Sequence, residues 1–485
     1  MFLPKIIQGG MGAGVSNWRL AQEVAMNGHL GVVSGTALDA ILIRRLQLGD
    51  CGGHMRRALA AFPIPELAKR ILKRYFHKEG LEKEATFKLA SGFRVEAPKP
   101  LVDLTVVANF VEVFLAKEGH AGRVGINLLE KIQLPTLPSL LGAMLAGVDT
   151  VLMGAGIPRS IPGILDCLSK WKPVEMKVHV VGALEGESYF TKLNPAAWFR
   201  VHLPKAELPV LKRPDFIAIV SSNVLAQTLA RKATGEVNGF VVENHHAGGH
   251  NAPPRGKMQL SEEGEPVYAG KDSTNLEKLG QLKIPFWLAG GRASAKGLSD
   301  ALAQGAAGIQ VGTAFAFCEE SGFDPKIKTR VRNKVMGGEV EVFTDPRCSP
   351  TGFPFKVLQL SGTLSDKEVY QERIKRGCDL CYLRQPYRKD DGTVGYRCPS
   401  EPVDQYLKKG GELADTEGRM CICNALISSA GMGQRYKDGF VEPPLVTCGD
   451  DVNSIRSLIK PATGTYSARD VLVVLQLGAD ECSLI

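Results

Sequence analysis

PFWLAGGRASAKGLSDALAQGAAGIQVGT, running from Pro285 to Thr313, decides the fold. Two short apolar runs, PFWLAGG and GIQVGT, end in glycine turns and flank a helix-like stretch, and neither run alternates apolar with polar. Strands covered on both faces by helices need that pattern, and repeated strand–helix units imply right-handed parallel crossovers. The same kind of run recurs through the first 345 residues as KIIQGG, LGVVSG, VGINLL, DTVLMGAG, FIAIVSS and GFVVEN, which makes eight strands in all. A closed α/β TIM barrel, (β/α)8, is the simplest architecture. Setting aside residues 37–100 and 184–214 as insertions leaves about 245 residues before position 340, the usual size of such a barrel.

The first insertion carries helical pieces rich in Arg, Lys and Leu, AILIRRLQLGD, RRALAAF and ELAKRILKRYF. Its charge predicts a solvated helical flap, with a lid or a homo-oligomer contact as functional alternatives. The second is read as a hairpin on the rim made from MKVHVVGAL and WFRVHLPKA. The domain reading is a barrel over 1–345 and a Cys-rich C-terminal extension over 346–485 that packs on it.

A chain of 485 residues with 44% hydrophobic and 23% charged residues buries a sizeable core and is neither disordered nor collagen-like. Fifty-nine Lys and Arg against 51 Asp and Glu leave +8, with no long basic run interleaved with aromatics. Nucleic acid is therefore not an expected partner, and an anionic small molecule is. No uncharged apolar stretch is long enough to span a membrane and the first residues lack a signal pattern, so the expected compartment is the cytoplasm.

In barrels of this class the loops leaving the C-terminal ends of the strands build the site, with phosphate held after strands seven and eight. Ala289, Gly290 and Gly291 stand after the seventh, and Gly312 and Thr313 after the eighth. Glycine amides approach a phosphate without Cβ obstruction. The first turn, QGGMGAGVS from Gln8 to Ser16, fits neither a P-loop nor the dinucleotide fingerprint. Its small residues instead leave room for a flat aromatic ligand. Ser34 and Asn127, at the ends of strands two and three, add polar atoms to the same mouth.

The richest local signal is VVENHHAGGHNAPPRG, Val241 to Gly256. Gly248 and Gly249 argue against a helix, so His246 and His250 need not share a face, and the base of a zinc protease motif is missing. An imidazole titrating near neutrality, placed by glycines over a bound cofactor, suits proton transfer beside a redox centre, and His250 is the residue so placed. Arg255 offers a grip on a carboxylate or phosphate, or is simply an exposed loop arginine.

IIQGGMG, LGVVSG, the AGGH of Ala247 to His250, LAGG of Leu288 to Gly291 and GIQVGT of Gly308 to Thr313, in this order, resemble the flavin-dependent nitronate monooxygenases, formerly 2-nitropropane dioxygenases. They also resemble the related flavin enoyl-acyl carrier protein reductases. The likeness covers roughly residues 1–360, and the long chain is similar to a subgroup with a Cys-rich extension. It implies an FMN barrel in which Gly290, Gly291, Gly312 and Thr313 hold the phosphate, Gly9, Gly10 and Met11 line the isoalloxazine, and Asn127 touches the ring or ribityl chain. It also implies that His250 transfers a proton near flavin N5. The family's usual Gln-Gly-x-Glu-Ala-Gly-Gly-His reads Glu243 to His250 here, with His246 in place of the acidic residue. Two reactions fit: oxidation of a nitronate with dioxygen, or reduction of an enoyl thioester by NAD(P)H. A non-catalytic flavin-binding or metal-binding protein is the third reading.

Most of the 11 cysteines fall at or after Cys348. Cys378-x2-Cys381, then YRKDDGTVGYRC with a hairpin signal at Asp391-Gly392 leading to Cys398, then Cys421-x-Cys423, could ligate Zn or an iron–sulfur cluster. Between this set and the barrel, RCSPTGFPFK is expected to close the mouth over Ser349 to Lys356. Ser467 is a plausible N-cap, with Asp470 three residues on, for a last helix in YSARDVLVVLQLGAD.

Overall fold

The computed structural model describes residues 3–477, and eight parallel strands form its centre. They are β1 (Ile6–Gln8), β2 (Gly31–Ser34), β3 (Val124–Leu129), β4 (Thr150–Gly154), β5 (Asp215–Val220), β6 (Gly239–Glu243), β7 (Phe286–Ala289) and β8 (Gly308–Val311). Each lies in one of the eight apolar runs read from the sequence. The ladders run β1-β8-β7-β6-β5-β4-β3-β2, and a parallel bridge between Ile7 and Leu30 brings the two ends together. Gln8 N–H donates to Leu30 O at 3.0 Å, and Leu30 N–H donates to Ile6 O at 3.2 Å. The architecture is a TIM barrel.

Ile7, Val32, Leu152, Ile217, Val241 and Trp287 form a separate buried cluster contributed by six strands, which is the plug of the barrel. Trp287 is fully buried, and its Nε1 donates to Pro4 O at 2.7 Å. Gly239 makes room for it, because a Cβ there would stand 2.8 Å from the indole. The bottom is thereby filled and the open end is the C-terminal one.

Each of the two segments set aside as insertions departs from its secondary-structure reading. The helices Leu38–Gln47, His54–Ala60 and Pro65–Tyr75 fall where helical pieces were read. The first of them is not solvated, since Ile41, Leu42, Arg44, Leu46 and Gln47 are buried. Arg44 is accommodated by Asp379 of the tail, which it meets with two hydrogen bonds of 2.8 Å, and by Met432 O at 2.5 Å. Charge on that helix thus marks an internal pair and not a wet face.

The rim hairpin pairs Val174–Val178 with Tyr189–Leu193. WFRVHLPKA is not its second strand, because Pro195–His202 is a helix. Asn194 caps it by accepting from Ala197 N–H at 3.0 Å, and Pro195 sits in the first turn with its φ already helical. These local signals override the β-patterned look of Trp198 to His202.

The tail adds a two-stranded pair, Val342–Asp345 with Phe355–Leu358, and the hairpin Gln385–Arg388 with Val394–Arg397 around the expected Asp391-Gly392 turn. Its last described helix, Ala468–Gln476, starts in a capping box formed by Ser467 and Asp470. The end of YSARDVLVVLQLGAD lies outside the described residues. Among those residues, no helix is long and apolar enough to cross a membrane.

Candidate active site

The open end of the barrel holds a cavity of about 430 Å³, within the range of cofactor sites. Gly9, Gly10 and Met11 line it from the turn after β1, Ser34 from β2 and Asn127 from β3. Ala289, Gly290 and Gly291 line it from β7, Gly312 and Thr313 from β8, and Gly248, Gly249 and His250 from the loop after β6. The thirteen residues read from the sequence as cofactor-binding or proton-transferring therefore line one space.

The first turn is held by side chains from beneath. Ser16 Oγ donates to Gly9 O and accepts from Met11 N–H, both at 2.8 Å, while Gln8 Nε2 donates to Ser16 Oγ at 2.9 Å. Ser34 Oγ donates to Gly12 O at 2.5 Å. Asn127 Nδ2 donates to Gly10 O at 2.9 Å, and a Cβ at Gly10 would run into the Asn127 side chain. The turn is packed flat against strand three, as a planar ligand requires.

Gly290 and Gly291 adopt φ of +90° and +67°, backbone that favours glycine. Asn244 Nδ2 donates to Gly290 O at 3.2 Å, and its Oδ1 accepts from His246 N–H at 2.9 Å. Thr313 Oγ1 is taken by the tail, accepting from Gly449 N–H at 2.9 Å. Gly249 N–H is also taken, donating to Thr447 Oγ1 at 2.9 Å. These two residues shape the wall through contacts already made.

Asn127 Oδ1, Asn251 Oδ1 and Gln310 Oε1 are buried, lack hydrogen-bond partners, and belong to residues lining the cavity. An unmet buried acceptor costs roughly 1–3 kcal/mol, so three together mark a place where donors are expected from a ligand. The sequence reading found Asn127 and missed Asn251 and Gln310. Asn251 directly follows His250, and Gln310 is a lone polar side chain in an otherwise apolar strand.

His250 faces the cavity with Nε2 2.7 Å from Ser349 Oγ and its ring edge-on to Phe355, centroids 4.8 Å apart. The segment from Ser349 to Lys356 contributes Phe353 and Phe355 to the wall. Burial, helped by the nearby Lys131 ammonium, pushes the imidazole down to about 3. The expectation of a histidine titrating near neutrality is corrected: His250 is neutral through the physiological range, because desolvation penalises its charged form.

Lys131 Nζ lies over the Phe353 ring without a hydrogen-bond partner, and burial lowers it to about 7. Glu243, at the end of β6 and in the cavity wall, is pushed up to about 7 by burial. Neither was singled out by sequence reasoning, although Glu243 is a charged residue ending an apolar strand. Arg255 is exposed and outside the cavity wall. His246 Nδ1 meets Asp450 Oδ2 at 2.9 Å, so a carboxylate does stand at that corner, supplied by the tail.

The cysteine-rich tail supplies Tyr382, Leu383, Ile422 and Cys423 to the same wall. The thiols of Cys378, Cys421 and Cys423 converge within 4.8 Å of one another. Cys381 N–H donates to Cys378 Sγ at 3.5 Å. Cys398 is not one of these three converging thiols; its own thiol is 3.1 Å from Ser400 Oγ.

Residues 191–344 match the model of the nitronate monooxygenase family. No curated protein matches the chain. Among solved structures, FabK from Thermotoga maritima is similar at 13% identity, covering 99% of this chain and 94% of that chain with a TM-score of 0.47. A nitroalkane oxidase from Streptomyces ansochromogenes is similar at 13% identity, with coverage of 100% and 97% and a TM-score of 0.48. The enoyl reductase domain of MlnA, from the macrolactin biosynthesis cluster of Bacillus amyloliquefaciens, is similar at 11% identity, with coverage of 99% and 97% and a TM-score of 0.43. The family match carries the weight, since it spans β5 to β8, the histidine loop and both glycine turns. The chain is a flavin-dependent oxidoreductase built on a TIM barrel and carrying a nitronate monooxygenase segment.

Proposed function

We propose that the protein binds FMN in the 430 Å³ cavity and oxidises a small anion of the nitronate type, with His250 as the proton-transfer residue. The observation that carries this reading is a neutral imidazole facing a cavity whose wall holds three unmet amide oxygens. Ribityl hydroxyls and the imide N–H of a flavin are donors of the kind Asn127, Asn251 and Gln310 lack, so the residues present fit the group. The amides of Gly290, Gly291 and Gly312 would take its phosphate, with the Arg292 side chain at the same wall as countercharge. Gly9, Gly10 and Met11 would lie against the ring.

FMN bound there would supply the redox centre for the oxidation, whose balance with dioxygen is two nitronates and one dioxygen to two carbonyl compounds and two nitrites, each new carbonyl oxygen coming from dioxygen. The chain's own part is to position and to move protons. Lys131, which lines the adjoining cavity and has no hydrogen-bond partner, sets a positive charge beside His250 and so helps depress it. His250, neutral and bonded to Ser349, presents a ring nitrogen with no proton to lose first, and an anion bound beside it would raise its basicity toward the range a proton acceptor needs. Phe353, Phe355 and Tyr382 exclude water from that exchange.

One observation favours a second reading, NAD(P)H-dependent reduction of an enoyl thioester. A further cavity of about 280 Å³ shares Ile132, Tyr382 and Leu383 with the first and carries Lys131, His179 and Arg384, giving length and positive charge for a longer acyl substrate. Anaerobic mixing separates the two. Bleaching of the flavin by a nitronate but not by NADPH supports the first reading, bleaching by NADPH supports the second, and bleaching by neither sinks both.

A further inference from the structure

Three buried or half-buried thiols, from Cys378, Cys421 and Cys423, converge within 4.8 Å in the tail, and the Cys378 and Cys423 sulfurs are 3.6 Å apart. A disulfide would hold them at about 2.05 Å. Four sulfurs set tetrahedrally at about 2.3 Å from one ion are separated by about 3.8 Å, so the observed spacing is that of one edge of a mononuclear site. A cubane cluster would need to fit several iron and sulfide ions between these sulfurs, and the space between them is too small for it.

A fourth ligand is at hand. Cys381 closes the Cys378-x2-Cys381 turn in left-handed backbone, φ +59°, which lets its N–H donate to Cys378 Sγ at 3.5 Å. An amide aimed at a sulfur is the bond a metal-held thiolate accepts. The Cys381 thiol now touches Cys378 O at 3.3 Å, and rotation about its Cα–Cβ bond turns it toward the other three. The surroundings carry positive charge to balance a dianionic tetrathiolate. Arg373 is 2% exposed and interacts electrostatically with Cys421; its Nε is paired with the buried Glu442 carboxylate, which offsets part of the charge, while its buried Nη2 has no hydrogen-bond partner. Arg384 Nε donates to Cys381 O at 3.3 Å.

We infer that Cys378, Cys381, Cys421 and Cys423 form a tetrathiolate site for a single Zn²⁺, and that Cys398 is not a ligand. The ion's role is structural: it ties the turn leading into Tyr382 and Leu383 to the helix Ile422–Ser428, and these two pieces together wall the cavity. The site stands whether or not the cavity takes a flavin. It also narrows the choice between zinc and an iron–sulfur cluster that the cysteine spacing alone leaves open.

The test uses the full chain purified without oxygen and with no added metal. Elemental analysis is expected to find about one zinc per chain, and X-ray absorption at the zinc edge a shell of four sulfurs at about 2.3 Å. Cys423→Ser is expected to lose most of the zinc, while Cys398→Ser retains it. Whether or not Cys423→Ser is recovered folded, the absorption measurement on the unaltered chain decides by itself. Nitrogen or oxygen atoms in place of two or more sulfurs overturn the inference. Iron with acid-labile sulfide, a Cys378–Cys423 disulfide, or less than roughly a tenth of an equivalent of any metal after zinc loading under reducing conditions does so equally.

Discussion

Gly290→Ala puts the phosphate end of the proposed site to a quantitative test. A Cβ at Gly290 would stand 2.8 Å from Asn244 Cγ and 3.1 Å from Ala247 N, on backbone with φ of +90°. Two costs add. Left-handed backbone in a residue with a Cβ costs roughly 1–2 kcal/mol. Asn244 must also give way, endangering its hydrogen bonds to Gly290 O and from His246 N–H, each worth about 0.5–1.5 kcal/mol. Gly305→Ala is the control, since φ there is +81° but nothing lies within 4 Å of the added Cβ, and the residue is not in the cavity wall. Both variants incur the backbone strain, but only Gly290→Ala loses the Asn244 contacts beside the cavity. The difference of about 1–3 kcal/mol predicts flavin binding weaker by about 5- to 150-fold in Gly290→Ala than in Gly305→Ala. Fluorescence titration of the flavin-free proteins with FMN measures it. Equal dissociation constants for the two variants would refute the placing of the phosphate at this turn.

Three further outcomes are expected. His250→Ala keeps its yellow colour and loses turnover by about 100- to 10,000-fold, the usual share of a positioned proton-transfer group; an unchanged rate removes His250 from the chemistry. The folded imidazole sits below its unfolded value, so the unfolded chain binds the extra proton between about pH 6.5 and the folded value near 3, and native stability falls with falling pH by about 1.4 kcal/mol per unit in that window. Denaturation of the protein beside His250→Phe should show this slope only where the histidine is present, and Lys131→Met should move the histidine's NMR titration upward from about 3 by removing the ammonium that helps depress it. Asp379→Ala leaves Arg44 charged and buried without its partner at a cost of about 3–5 kcal/mol, seen as a lower melting temperature, whereas Arg44→Met with Asp379→Leu recovers most of it.

The barrel was legible because a parallel strand buried on both faces has to be apolar without alternation, and all eight such runs became strands. The mouth was legible for a related reason: the fold fixes which end of each strand faces the ligand, so the glycines after β1, β7 and β8 and the histidine after β6 could be placed without knowing any long-range contact. Errors arose where a partner lay far along the chain. Nothing near Arg44 shows that Asp379 will bury it, so its helix read as solvated. Nothing near His250 shows that Ser349 and Lys131 will surround it, so its neutral state was missed. Trp198 to His202 failed differently, since the cap at Asn194 and the proline after it were local and outweigh the alternation that suggested a strand.

The tail belongs to the site as much as the barrel does. Thr447 binds the Gly249 amide, Gly449 binds the Thr313 hydroxyl, and Asp450 pairs both with His246 and with Lys356, whose Nζ it meets at 2.6 Å. Two of the turns that would hold a flavin are therefore braced by residues about 136 to 198 positions away in sequence. The carboxylate absent from the loop itself, where His246 stands, returns through Asp450, which burial would raise but the hydrogen bonds from His246 and Lys356 hold below the ordinary range. Without the residues from 346 onward the barrel would lose Ser349 from His250, Phe353 and Phe355 from the wall and the brace on each turn. It follows that the cofactor site is not separable from the tail, and that a tethering ion at Cys378, Cys381, Cys421 and Cys423 would act on flavin retention through Tyr382, Leu383 and Ile422 without touching the reacting atoms.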